Sequence, residues 1–459
     1  MLSTTAAFRK PAHAESFPTR LVYARPGRLL DGLQDSGPGP RNCLQMSVNR
    51  PRPSPHPSPT QLAERASPPG APAPAKRRIP RSLLLGAGGF FGAISWQVVL
   101  PVLPLHLSKI GYTPSQVGAL VSLLSLAMGL VELHVGHIVG WFGRRGTLLG
   151  GLAANAACMV FLAQARAAAM VGSALAAVGV ARATFWPPLH ATVADTASEE
   201  ARGQAFGMFW FWTSISYLSG PLIGGVIAAH YGDPAAFYLG AAFSLLAIPV
   251  VITVTRPGRP PSDVTAAGAA GVLGDPAILK LCLINSLYYT MTGIWMTFLP
   301  LYIARQGLSV VIVGWVLTVQ GLTYALVQIP AGRLADQWGA HRLVLPAVIG
   351  RAIISPLVPL LQLHSQAAFV VIGGFYGLAG GLIPVACTTL MARMVPRDKY
   401  TTAMGVYNAS GDLAFFVGPL IGGAAALLGI WAPFYLCLPV GLAAVLIGAR
   451  GVASGLTRS

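Results

Sequence analysis

Gly220-Pro-Leu-Ile-Gly-Gly225 recurs as Gly418-Pro-Leu-Ile-Gly-Gly423, an offset of 198 residues. Upstream, Gly207 recurs as Gly405 at the same offset. A second stretch, Gly136-His-Ile-Val-Gly-Trp-Phe-Gly143, aligns with Gly332-Arg-Leu-Ala-Asp-Gln-Trp-Gly339 at an offset of 196. Both repeats lie in apolar sequence, so the chain reads as a duplicated helical membrane unit. Small residues four apart let helix backbones approach closely. Gly207, Gly220, Pro221, Gly224 and Gly225, with Gly405, Gly418, Pro419, Gly422 and Gly423, are therefore expected at helix-packing contacts.

Composition agrees. Of 459 residues, 54% are apolar and 10% charged, with a mean hydropathy of +0.62. Soluble domains carry about 25% charged residues, which excludes an ordinary cytosolic enzyme. The five cysteines are scattered with no CxxC pair, so they read as small packing residues rather than metal ligands or disulfides. The net charge of +17 splits between residues 1–81, with 13 basic and 4 acidic residues, and the loops of the remainder. No basic patch with interleaved aromatics is left, which argues against a nucleic-acid partner.

Residues 1–81 are rich in Pro, Arg, Ser and Ala, as in Pro51-Arg-Pro-Ser-Pro-His-Pro-Ser-Pro59. Such a segment cannot bury enough apolar surface to fold, and is expected to be a disordered basic tail. It lacks the apolar core of a secretory signal. A transit peptide, or a start assigned too early with Met46 as a later one, are alternative readings. Apolar runs then give twelve spans: 82–107, 114–139, 147–165, 169–193, 204–230 and 235–255, and after a polar break 277–304, 309–334, 343–362, 368–393, 401–427 and 433–450. The expected fold is thus an all-α membrane protein of twelve transmembrane helices in two pseudo-symmetric six-helix bundles, 82–255 and 277–450. A cytoplasmic linker, 256–276, joins them, and 451–459 forms a C-terminal tail.

Loop charge orients the chain. Even-numbered connections carry Arg144, Arg145, Arg202, Arg256, Arg259, Arg333, Arg342, Arg393, Arg397 and Lys399, whereas odd-numbered ones carry Lys109, Arg166 and Arg305. The positive-inside rule puts both termini in the cytoplasm. The membrane is the cell's inner membrane, or an organelle's if the tail is a transit peptide.

Duplication of six helices is one way carriers build a central site between two halves. Residues 82–450 resemble the major facilitator superfamily of secondary transporters. That family's loop signature, G-x-x-x-D-[RK]-x-G-[RK]-[RK], is matched after the second span by Gly136, Gly143, Arg144 and Arg145, with Gly140 and Trp141 replacing its acid-base pair. After the eighth span it is matched by Gly332, Asp336 and Gly339, followed by Ala340, His341 and Arg342. The resemblance implies a cytoplasmic latch in which these residues gate, Asp336 facing the N-terminal end of the fifth span, where free N–H groups favour an anion. The run from Gly207 to Gly225, with Ser216 in place of one Gly, is similar to the fifth-helix signature of twelve-helix drug-proton antiporters, and Pro101-Val-Leu-Pro104 to a first-helix one. The arginine common in the fourth helix of those exporters would fall at Leu175; Arg182 lies two turns on.

Ionisable groups inside a membrane are costly unless paired or hydrated, and by default mark function. Four stand out: Glu132, Arg182, Arg351 and Asp412. In the fold implied by the resemblance, spans 1, 4, 7 and 10 line the cavity, so Arg182 is expected to meet substrate. Asp412, about eleven residues into its span, is the leading proton carrier. Glu132, nearer the cytoplasmic end, is secondary, and Arg351, on the peripheral ninth span, is expected to be structural. Gln97, Asn285, Tyr288, Tyr289, Trp295, Gln320 and Tyr324 complete a weakly polar, aromatic candidate substrate site, suited to amphipathic solutes. His134 and His137 share a helical face but have no acidic partners, so no metal site is expected; His190 is a possible cavity residue. No phosphate loop, nucleophile elbow, HExxH or dinucleotide motif occurs, so neither an enzyme nor a cofactor is expected.

The expected function is proton-coupled efflux of amphipathic small molecules by a monomer in lipid, with an importer or facilitator of a small, anionic metabolite as the alternative. The orientation has a direct check. In a variant freed of native cysteines, a cysteine at Arg259 should resist an impermeant thiol reagent added outside intact cells; labelling there would invert the topology.

Overall fold

A computed structural model describes residues 81–196, 202–255, 274–361, 365–395 and 400–454. The basic tail, most of the 256–276 linker with Arg256 and Arg259, Arg397 and Lys399, and the last five residues lie outside the described residues. The first half comprises α1 (Arg81–Gln97), α2 (Leu103–Lys109), α3 (Pro114–Glu132), α4 (Val135–Leu162), α5 (Ala168–Ala183), α6 (Trp186–Thr196), α7 (Arg202–Tyr231) and α8 (Asp233–Val254). The second comprises α9 (Pro276–Arg305), α10 (Val310–Leu334), a π-turn (Ala335–Gly339), α11 (His341–Leu360), α12 (Gln366–Met394), α13 (Tyr400–Ala425), α14 (Ala432–Tyr435) and α15 (Cys437–Ser454). These make up twelve membrane spans. Among the described residues nine helical stretches are each long and apolar enough to cross a bilayer, and Leu83–Gln97 and Ala432–Gly448 are shorter apolar helices.

Local chemistry accounts for the starts and breaks. Thr113 opens α3 with a reciprocal capping box: its hydroxyl accepts from the Gln116 N–H, and the Thr113 N–H donates to the Gln116 side chain at 2.9 Å, satisfying two end donors. Asp275 caps α9, accepting from the Ala277 N–H at 2.8 Å, and Ser309 caps α10. The first span is broken between α1 and α2, where Pro101 cannot donate and tighter turns replace the helical ladder. The fourth is broken at Thr184–Phe185, just before Pro187 and Pro188. Gly143 (φ 70°) and Gly339 (φ 87°), the matching glycines of the repeated loop, both take left-handed backbone. That conformation lets the chain turn from one membrane helix into the next, and a side chain there is strained.

The halves pack alike. In the first, α1 packs on α7 and α8, α3 on α5, and α4 on α5 and α8; in the second, α9 packs on α13 and α15, α10 on α12, and α11 on α12 and α15. Between halves, α3 crosses α13 and α7 crosses α10. Both crossings are glycine contacts at the end that bears the odd-numbered connections. A Cβ on Gly314 would lie 2.8 Å from the Pro221 carbonyl, and one on Gly118 would overlap the Pro419 carbonyl. A Cβ on Gly225 would come within 3.0 Å of the Val310 carbonyl, and one on Gly423 within 2.8 Å of the Ser115 carbonyl. Gly220 and Gly224 pack against Gln97 and Val98, and Gly418 and Gly422 against Thr290 and Phe298, each inside its own half. Gly207 and Gly405 depart from expectation: a Cβ on either would meet nothing within 4 Å, because both lie where the helices have already diverged.

Gly143→Ala and Gly339→Ala should each cost about 1–3 kcal/mol through backbone strain. Gly140→Ala, where an added Cβ meets open space, should stay within about 0.5 kcal/mol of the parent. Thermal unfolding in detergent separates the two cases.

Candidate functional site

Below the glycine crossing, α3 and α13 remain in contact: a Cβ on Gly129 would press on the Leu413 side chain. One turn further along α3 is Glu132, and its carboxyl lies within hydrogen-bonding distance of the Asp412 carboxyl on α13. The two acids thus form a pair that bridges the halves. Arg182 on α5 is within electrostatic reach of both, and the Tyr217 hydroxyl on α7 is within reach of Arg182 and Asp412. The Arg182 guanidinium stacks over the Trp96 ring, 5.0 Å from its centroid, a cation–π contact that offsets part of its desolvation. Tyr217 keeps 42% of its surface accessible beside these charged groups. Tyr289 on α9, half-buried, is within electrostatic reach of Asp412 and Tyr217, and Tyr324 on α10, also half-buried, is within reach of Tyr289 and Tyr217.

The other candidate substrate residues are buried within one half. Asn285 donates to the Tyr407 carbonyl at 2.9 Å and to the Ser410 hydroxyl at 3.3 Å, tying α9 to α13. Trp295 donates to the Gln320 side chain at 2.8 Å and stacks on Tyr376, with ring centroids 3.9 Å apart and planes 7° apart. Tyr288 donates to the Gly380 carbonyl at 3.1 Å, and Gln97 is covered by Gly220. Arg182, Tyr289 and Tyr324 are the members of the expected set whose side chains remain partly accessible.

Arg351, on the ninth span, turns its side chain into the interior of the second half. It is 2% exposed, with its guanidinium over the rings of Tyr288 (4.3 Å) and Tyr376 (4.1 Å). It donates to the Thr292 hydroxyl. The repeat contained a usable signal: at the 196 offset Arg351 corresponds to Asn155, which sits in a buried network donating to Ser95 and Ser244 at 3.2 Å each. Tyr217 and Tyr376 carry no local signal of these contacts, because aromatic residues in membrane helices are usually packing or interface residues.

The repeated loops make matching ion pairs of reversed sign. Arg144 pairs with Asp195 at the end of α6, and Asp336 pairs with Arg393 at the end of α12, 3.7 Å away. Asp195 and Arg393 are related by the 198 offset. Asp336 is 77% exposed, and this pair lies within its own half instead of reaching the fifth span. Arg145 is half-buried, while Gly136 and Gly332 face open space. His134 and His137 are exposed, and His190 is surrounded by the rings of Trp186, Phe209 and Trp210. Among the described residues no cluster of metal-ligating side chains is present.

Comparison with known proteins places this architecture. The Major Facilitator Superfamily model matches residues 85–311 and 281–453. The chain is 24% identical over 369 residues to a multi-drug resistance efflux pump PmrA homolog of Lactococcus lactis, covering 74% of this chain and 86% of that protein. It is 23% identical over 366 residues to the quinolone resistance protein NorA of Staphylococcus aureus, covering 76% and 91%. Its fold matches the crystal structure of the nucleoside transporter NupG with a TM-score of 0.68 at 12% identity, over 83% of this chain and all of that one. Twelve spans in two like halves, glycine-mediated crossings between them and a family match over nearly all the described residues together show that the chain belongs to the Major Facilitator Superfamily of secondary transporters.

Proposed function

We propose that this chain exports amphipathic small molecules by alternating access, driven by protons, through the space faced by Arg182, Tyr217, Tyr289 and Tyr324. The observation that carries the reading is the Glu132–Asp412 pair. Two carboxyls at hydrogen-bonding distance need a proton between them, since one must donate. Without it, two unit charges about 4 Å apart repel by roughly 4 kcal/mol at an effective dielectric constant near 20. One acid belongs to each half, so the repulsion acts across the α3–α13 crossing and ties its separation to proton release. The groups facing the pair are Arg182 from α5, Tyr217 from α7 and Tyr289 from α9. With one shared proton the pair carries a single negative charge, which Arg182 balances.

Residues 82–255 and 277–450 are the two moving bodies in this reading, joined by the 256–276 linker. Both termini lie in the cytoplasm, on the grounds of the positive-inside charge pattern. The glycine crossings then close the outer end, and the Arg144–Asp195 and Asp336–Arg393 pairs brace the inner loops that gate the other. Export is supported by the fifth-span motif and by relatives whose names describe efflux and drug resistance.

The test is flux into proteoliposomes with an imposed pH gradient, using neutral, cationic and anionic fluorescent amphiphiles. Asp412→Asn should abolish gradient-driven accumulation while leaving exchange without a gradient. Glu132→Gln should do the same, because removing either acid leaves the other with no carboxyl to share a proton. Accumulation by Asp412→Asn equal to that of the parent would refute the coupling.

A further inference from the structure

Arg182 and Arg351 occupy related places by unrelated routes. At the 198 offset Arg182 corresponds to Gly380 on α12. The Arg351 guanidinium, reaching from α11, lies against Gly380, where a Cβ would overlap it. Each half therefore holds one guanidinium at the corresponding site. Their surroundings differ. Arg182 faces the Glu132–Asp412 pair, whereas Arg351 faces Tyr288, Tyr376, Tyr324 and Tyr289. Among the described residues no carboxylate pairs with Arg351, and its Nε has no hydrogen-bond partner. Stacking between tyrosines offsets part of the cost of burying that charge, but does not neutralise it. With Arg182 and the singly protonated acid pair summing to zero, Arg351 remains as one uncompensated positive charge.

Tyr289 and Tyr324 lie within electrostatic reach of Arg351 and of each other, with Tyr217 beside them and Asp412, a member of the charge-balanced acid pair, beside Tyr289. They are half-buried, and no hydrogen bond within the described residues occupies their hydroxyls. Two O–H donors, backed by a buried guanidinium, form a receptor for an acidic group. We propose that the solute is an amphipathic organic anion, its acid group received by the Tyr289 and Tyr324 hydroxyls with Arg351 behind them as counter-charge. This rests on the reading above that the inter-half space is the solute's path, and it adds the solute's charge class. An organic cation would meet the like charge of Arg351 whatever the protonation of the acid pair.

The test is equilibrium binding in detergent of three dansyl amphiphiles that share one alkyl chain and end in a carboxylate, a carboxamide or a trimethylammonium group. The carboxylate should bind about tenfold or more tightly than the other two, the worth of one charge-assisted hydrogen bond. Tyr289→Phe/Tyr324→Phe, which removes only hydroxyls, should erase that preference while keeping carboxamide binding. Arg351→Gln should erase it too, and Arg351→Lys should retain it. Equal affinity for all three probes, tighter binding of the ammonium probe, or a carboxylate preference that survives the double Phe variant would overturn the proposal. Proton-driven flux is read separately. If the carboxylate probe binds best yet a pH gradient fails to drive it, the coupling falls and this assignment stands.

Discussion

The structure depends on backbone approaching backbone between the halves at glycines on two helix crossings. Gly118 and Gly423 join α3 to α13, and Gly225 and Gly314 join α7 to α10. Lipid tails are as apolar as leucine side chains, so helices in a bilayer gain little from hydrophobic burial and associate through close packing and polar contacts. Leaving out a Cβ at each crossing brings carbonyls and Cα atoms into contact over the outer half of the molecule. Everything further along α3 and α13 inherits its register from those contacts, including the meeting of Glu132 with Asp412.

The polar interior can be understood as charge held where the bilayer cannot solvate it. The first half ties α1, α4 and α8 together with the neutral Asn155–Ser95–Ser244 network. At the matching position the second half carries Arg351, held by tyrosine rings and Thr292. The same packing scheme thus supports a neutral lock in one half and a charged one in the other. The loop pairs Arg144–Asp195 and Asp336–Arg393 show the same asymmetry with signs exchanged. Duplication fixed where polar groups sit, and divergence changed what charge they carry.

Much of this was legible in the sequence. The eleventh span, read as 401–427, is α13 at Tyr400–Ala425, and the eighth, read as 309–334, is α10 at Val310–Leu334. Hydropathy and caps are local signals, so they locate helices well. Gly220, Gly224, Gly225, Gly418, Gly422 and Gly423 sit at close helix contacts whereas Gly207 and Gly405 meet nothing, because repetition marks common ancestry and not contact. Glu132, Arg182 and Asp412 stood out singly as costly charges. Their grouping did not, since no local pattern encodes a contact across 280 residues of chain. Span order led to Arg351 being read as structural on a peripheral helix, but it carried no sign that the side chain turns inward among tyrosines.

The central claim is that one proton, shared across the halves, holds α3 against α13. Its most direct test is the distance between spin labels at Leu130 on α3 and Asn408 on α13, both exposed and flanking the acid pair. Measured by pulsed dipolar spectroscopy over a pH series, the wild-type distance should be short at low pH and lengthen as rising pH removes the shared proton. In Glu132→Gln/Asp412→Asn it should no longer respond to pH. A pH response that persists unchanged in the double variant would contradict the claim.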